Sequence, residues 1–315
     1  MPTLKKQVGR ALAQVVAHAL PKRLMLNDTF FEIWEQRGWH VTPVGHYQPV
    51  PELGALPESL WQRRSPMLGV DMRDAAQVEW LERVAKKYRQ ELNALPLESS
   101  GNPFDFHVHN GSFCSVDAEV YWCMLRELKP RKIMEIGSGN STKLAALAVL
   151  RNQEEGTQAC DLTAIEPYPN PQIAKGFPGL TRLIPEKLES LPMDFFDALE
   201  SGDILFIDSS HMLRIGSDVQ FEYLELLPRL QPGVIVHIHD IFLPAEYPRT
   251  WVQDKHIFWN EQYLLQAFLA FNQSFEVLWG GSWMHLNHPD LLETAFQSYK
   301  RDREWPGSFW LRRVK

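Results

Sequence analysis

Two short stretches carry side chains suited to acid–base or metal chemistry. Asp203-Ile-Leu-Phe-Ile-Asp208 runs into Ser209-Ser210-His211, and Gly233-Val-Ile-Val-His237-Ile-His239-Asp240 ends on two ionisable residues. A carboxylate directly after Ile-Leu-Phe-Ile has few structural excuses, because Asp is rarely buried unless paired. If the two stretches are neighbouring parallel strands, Asp208 and Asp240 end at the same edge. Like charges that close raise each other's pKa. A hard divalent cation relieves the repulsion, and could also bind a substrate hydroxyl and acidify it. His211 lies three residues past Asp208 and has the near-neutral pKa expected of a general base for that proton. His237 reads as a core residue, and His239, next to Asp240, as part of the site.

Such residues need a sheet to hold them, and the chain supplies its elements in order. Ile133-Met134-Glu135-Ile136 reads as a strand, followed by the turn Gly137-Ser138-Gly139 and a helix opened by Ser141 and Thr142. Glycine lets the backbone approach a ligand, since no Cβ intervenes and φ > 0 is allowed. The helix N-terminus offers free N–H groups. A dinucleotide loop would carry a third glycine, but Asn140, Ser141, Thr142 and Lys143 follow Gly139, and no Gly-Lys-Ser/Thr loop is present. A bare glycine turn without a ligand is the alternative. Leu162–Glu166 reads as a second strand ending in a carboxylate able to accept both ribose hydroxyls, as the acidic residue of a Rossmann fold does. It lies about 27 residues past Gly139, and the polar segment 151–161 absorbs the extra length. Thr181–Ile184, Asp203–Asp208, Gly233–Asp240, Phe275–Trp279 and Ser308–Val314 complete the set, with Phe221–Arg229 as a crossover helix. Alternating strands and helices predict an α/β fold, a doubly wound, Rossmann-like, seven-stranded and mostly parallel sheet with an N-terminal helical and irregular extension.

The form Glu-x-Gly-x-Gly-x-Ser/Thr at 135–141 resembles the first motif of class I S-adenosylmethionine-dependent methyltransferases. Asp-x-x-His after strand four, with an ionisable pair after strand five, resembles metal-dependent sugar and natural-product O-methyltransferases of the mycinamicin and macrocin type and their cephalosporin-pathway relatives. The chain also resembles an uncharacterised bacterial branch of these enzymes over roughly residues 30–315, through Asn-Gly-x-Phe, Glu-Ile-Gly-Ser-Gly, Phe-Ile-Asp-Ser-Ser-His and His-Ile-His-Asp-Ile-Phe. The resemblance implies S-adenosyl-L-methionine held by Glu135, Gly137, Gly139, Ser141, Thr142 and Glu166, with Leu188 at the adenine. It places Asn110 and Gly111 over the methionine end and Asp208 beside the methyl donor. It implies a divalent metal on Asp208, His239 and Asp240, with His211 as base. Those relatives usually carry a carboxylate where His239 stands. Imidazole is softer, so iron and zinc join magnesium and manganese as fitting metals.

The rest of the chain bounds the setting. With 315 residues, 44% of them hydrophobic, it can build a full core plus an extension. A net charge of −7 implies no polyanion-binding surface, so nucleic acid is not the expected partner. Three cysteines without metal-ligand spacing fit a reducing cytoplasm, and no apolar run reaches membrane-spanning length. Leu4, Val8, Leu12, Val15, Val16 and Leu20 repeat at helical spacing. This predicts a docking or dimerisation helix, hence a homo-oligomer, with a membrane-surface helix as the alternative; Lys22-Arg23 argue against a cleaved leader. Residues 1–103 read as the extension and 104–315 as the catalytic domain. Trp34, Trp39, Tyr47 and Trp61 predict an ordered segment over 27–75, because aromatics seek burial. After strand five, Tyr247 and Trp251 suit a lid over a ring-shaped, hydroxylated small-molecule acceptor, while Tyr263, Leu264 and Phe268 suit inward packing. The rival readings are a metal-free N-methyltransferase, a non-catalytic cofactor-binding or scaffold protein, and a nicotinamide oxidoreductase, which lacks its third glycine.

Overall fold

The computed structural model describes residues 4–19, 26 and 30–315; Leu20, Lys22 and Arg23 lie outside them. The chain divides into two compact units, Met1–Glu58 and Ser59–Lys315. In the first, helix Leu4–Ala19 exposes Val8, Leu12, Val15 and Val16 along one face. Trp39 and Tyr47 are exposed as well, so burial of aromatics does not account for that segment.

The second unit is built on seven strands: β1 Lys132–Ile136, β2 Asp161–Ile165, β3 Arg182–Ile184, β4 Ile204–Ile207, β5 Ile235–Ile238, β6 Phe275–Gly280 and β7 Phe309–Arg313. Their order is β3-β2-β1-β4-β5-β7-β6. The first five pair in parallel, and β7 runs antiparallel between β5 and β6. All seven expected strands are present. The parallel ones read as unbroken apolar runs because helices cover both faces.

Alternation sends the strand residues to two cores. Ile133, Phe206 and Ile235 pack under helices Asp74–Lys87, Asp117–Leu128 and Asn140–Glu154. Met134, Ile136, Leu205, Ile207, Val236 and Ile238 meet Val219, Tyr223, Leu226 and Leu265 on the other face. The expected crossover helix begins earlier, at Asp218, where the Ser217 hydroxyl accepts the Gln220 N–H at 3.3 Å. Over Glu222–Leu226 it widens to a π-helical turn, a feature that recurs at functional sites. It turns Glu222 and Tyr223 inward, both fully buried.

The strand order reverses direction between β1 and β4, which opens a crevice beyond their carboxyl ends. The ladder runs on past the strands: Gly137 N–H donates to Ile165 O, Asp208 N–H to Ile136 O and His239 N–H to Ile207 O, each at 2.9 Å. Gly137, Asp208 and His239 therefore end side by side.

Candidate active site

The crevice holds a cavity of about 340 Å³ lined by Gly137, Glu166, Leu188 and Asp208, with Tyr168, Lys187, Ser209 and Arg214 among its other walls. Gly137 has φ +89, in the left-handed region, and a Cβ there would stand 2.1 Å from the Asp208 carbonyl oxygen. Only glycine fits. Gly139 differs from the sequence expectation. Its φ is 174, extended backbone open to any residue, and nothing lies within 4 Å of where a Cβ would be. Its glycine answers to open space rather than to a strained turn.

Several expected cofactor contacts lie outside the cavity lining and shape the loop beneath it. The Ser141 hydroxyl donates to Glu135, and the Thr142 hydroxyl accepts the Gly139 N–H at 2.9 Å. Glu135 is fully buried, and its second oxygen has no partner. Burial raises its carboxyl to about 8, against the pull of Ser141 and Thr142. The Asn110 amide is engaged within its own turn, donating to the His107 and Phe113 carbonyls at 2.8 Å and accepting the Ser112 and Phe113 N–H groups. The turn, with Gly111 at φ +85, still borders the glycine loop, because Asn140 donates to the Ser112 hydroxyl at 3.0 Å. Glu166 lines the cavity with one oxygen on the Tyr168 N–H at 2.8 Å.

At the ends of β4 and β5 the ionisable residues converge. Asp208, His211 and Asp240 each place a donor atom within 4.8 Å of the others. His211 Nε2 lies 3.2 Å from Asp208 and 3.6 Å from Asp240, and its Nδ1 lies 2.8 Å from Glu261. His239 Nδ1 lies 3.6 Å from Asp208 and 3.7 Å from Asp240, and its Nε2 faces Asp117 at 3.5 Å. His211 and Asp240 both adopt left-handed backbone, φ 57 and 55, a strained state that clusters at functional sites.

The electrostatics follow from these contacts. Burial alone would lift Asp208, but His239 and His211 hold it well below the usual carboxylate range. Burial raises Asp240 despite the same histidines. Burial alone would lower His211, yet its bonds to Asp208 and Glu261 raise it well above the ordinary imidazole value. His239 is raised likewise by Asp240 and Asp208. His237 is the opposite case. Burial, then the charge of His239, drives it well down, and neither ring nitrogen has a partner. It lies between Phe206 and Trp310, at 4.0 and 4.7 Å between ring centres. It is an aromatic core residue, as its sequence position suggested.

Two residues of the cluster were not singled out in the sequence. Asp117, on the first turn of its helix, accepts the Gly307 and Ser308 N–H groups at 2.8 and 2.9 Å and fixes the approach to β7 beside His239. Glu261 is fully buried, and its signal was an acid at the first position of an otherwise apolar helix. The aromatic loop also departs from expectation. Tyr247 is buried, its hydroxyl accepting the Gln262 N–H at 3.2 Å, whereas Tyr263 is half exposed and bonds Glu246. Between β6 and β7, His285 bonds Tyr299 at 2.7 Å and His288 bonds Asp74 at 2.8 Å.

A model of the methyltransferase domain matches residues 134–241, from β1 through the end of β5. The chain carries a methyltransferase domain of the class I fold. The chain is also similar to an uncharacterised protein of Archaeoglobus fulgidus, 29% identical over 172 residues, which are 52% of this chain and 76% of that protein. The structure is similar to CmcI in its apo form (20% identity, TM-score 0.34, 64% of this chain and 72% of that one). It is also similar to an O-methyltransferase from Bacillus cereus in complex with SAH (14% identity, TM-score 0.37, 75% and 91%). Structural likenesses this distant add nothing to what the strand order shows. Among the described residues, no helix is long and apolar enough to cross a membrane.

Proposed function

We propose that the protein moves a methyl group from S-adenosylmethionine to a hydroxyl oxygen of a small-molecule acceptor. In this reading Asp208, Asp240 and His239 hold a divalent cation, and His211 takes the proton. The observation that carries it is the convergence of Asp208, His211 and Asp240 beside a cavity bounded by Gly137, Glu166 and Leu188. The cavity suits the cofactor: its volume falls in the range of about 300–1,000 Å³ typical of ligand pockets, the Glu166 carboxylate on its wall would accept a ribose diol, and Leu188 would offer apolar surface to an adenine.

The donor set suits a cation as well. Two carboxylates address one spot, and His239 has its second nitrogen turned to a further acid, Asp117, as metal-site histidines commonly do. A divalent cation there would polarise the acceptor hydroxyl and offset the carboxylate field around His211. S-adenosylmethionine supplies a methyl group already activated by its sulfonium.

The chain's own work is positioning and proton transfer. Gly137, with no Cβ to meet the Asp208 carbonyl, keeps the wall of the cavity closed between β1 and β4. His211 Nε2 accepts the hydroxyl proton as the oxygen–methyl bond forms and the methyl–sulfur bond breaks. Trp259 packs against the imidazole, its ring centre 4.3 Å from that of His211.

Manganese titration by equilibrium dialysis tests the metal half of the reading. Asp208→Asn and Asp240→Asn are each expected to weaken binding at least about tenfold, roughly 1.4 kcal/mol. Methyl transfer that survives full chelation removes the metal from the mechanism.

A further inference from the structure

Three consecutive residues grip His211 from one side. The Trp259 ring lies against the imidazole at 4.3 Å, Asn260 N–H donates to the His211 carbonyl at 3.2 Å, and Glu261 Oε2 sits 2.8 Å from Nδ1. The Asn260 side chain adds a bond from the Leu213 N–H at 2.7 Å, so the backbone on the far side of His211 is fixed as well.

Glu261 opens helix Glu261–Leu269 and is completely buried. A buried carboxylate is stable only when its oxygens find partners. Its Oε1 receives the Tyr223 hydroxyl at 3.1 Å and its Oε2 faces the imidazole. Both oxygens are engaged, and Glu261 does not line the cavity. The only ring position left facing Asp208 and Asp240 is Nε2.

We propose that Glu261 is the positioning residue for His211, holding Nδ1–H so that Nε2 alone faces the carboxylate pair. The geometry is that of a base oriented by a third group. Tyr223, presented by the π-helical turn, fixes Glu261 in its turn. This deepens the proposed function and rests on its reading of His211 as the proton acceptor.

Long-range proton–nitrogen spectra of the full chain, labelled with nitrogen-15 histidine, test it without the acceptor. His211→Gln assigns the resonances by their loss. In the native protein Nδ1 of His211 is expected protonated, including at the pH where the ring is neutral. Glu261→Gln is expected to lose that signature and give a mixture of tautomers, and Glu261→Asp to restore it in part. A native spectrum with Nδ1 unprotonated overturns the proposal even if no variant folds. So does a folded Glu261→Gln protein with an unchanged His211 signature. The base assignment stands or falls separately: it fails if His211→Gln retains its transfer rate while the native Nδ1 signature is intact.

Discussion

A Cβ on Gly137 would stand 2.1 Å from the carbonyl oxygen of Asp208. The glycine turn and the end of β4 at Asp208 are therefore packed against each other with no room for a methyl group. Gly137→Ala combines that collision with a positive φ, and is expected to cost about 2–4 kcal/mol of stability. Gly139→Ala meets neither obstacle and is expected to leave stability within about 0.5 kcal/mol. Thermal unfolding of the two variants checks the contrast. Equal effects would mean that the turn is not locked to β4.

Glu166 should matter to the ligand more than to the fold. Loss of a charged hydrogen-bond acceptor facing a ribose is worth about 1.5–3 kcal/mol, so Glu166→Ala is expected to weaken S-adenosylmethionine binding roughly 10- to 100-fold. Its Tyr168 N–H partner at 2.8 Å is a single turn contact, so melting should shift little. Calorimetric affinities within twofold of native would remove the ribose role.

Much of this was legible in the sequence, and the exceptions share a physical cause. Ile204–Ile207 and Ile235–Ile238 announce themselves because strands covered on both faces must be apolar throughout. The acids following them stand out for the same reason. Strand order and register are less visible, yet the alignment of Gly137, Asp208 and His239 depends on them. Asp117 and Glu261 went unnoticed because a lone acid in a helix usually faces water. Only the tertiary packing shows that these two point at histidines. Asn110 and Thr142 were legible as polar residues near the loop, but hydroxyls and amides serve local turns as readily as ligands.

Glu135 gives the protein a pH signature. Its carboxyl is raised from 4.5 to about 8 by burial. A group whose folded pKa is raised contributes stability fully present below its unfolded value and lost as pH rises through the folded one. Stability should therefore decline between about pH 4.5 and 8, with a slope of up to about 1.4 kcal/mol per pH unit from this group. Glu135→Gln is expected to flatten that part of the profile. Denaturant midpoints across the range measure it, and an unchanged slope would mean that Glu135 is charged in the fold.

His237 should be dispensable. Its ring nitrogens are buried without partners, and it serves as an aromatic disc between Phe206 and Trp310. His237→Phe removes two unsatisfied polar atoms, so unfolding midpoints are expected to stay level or rise, by up to about 1 kcal/mol. Manganese and cofactor affinity should not change. A loss above about 2 kcal/mol would reveal an internal hydrogen-bond partner for that ring.

The central claim is that the crevice beyond β1 and β4 is a cofactor site continuous with the Asp208–Asp240 pair. Calorimetric titration of S-adenosylhomocysteine into the native protein and into Gly137→Ala tests it most directly. One saturable site per chain in the native protein, lost in the folded variant, is the predicted result. No saturable binding to the native protein, or equal affinity in both, would contradict it.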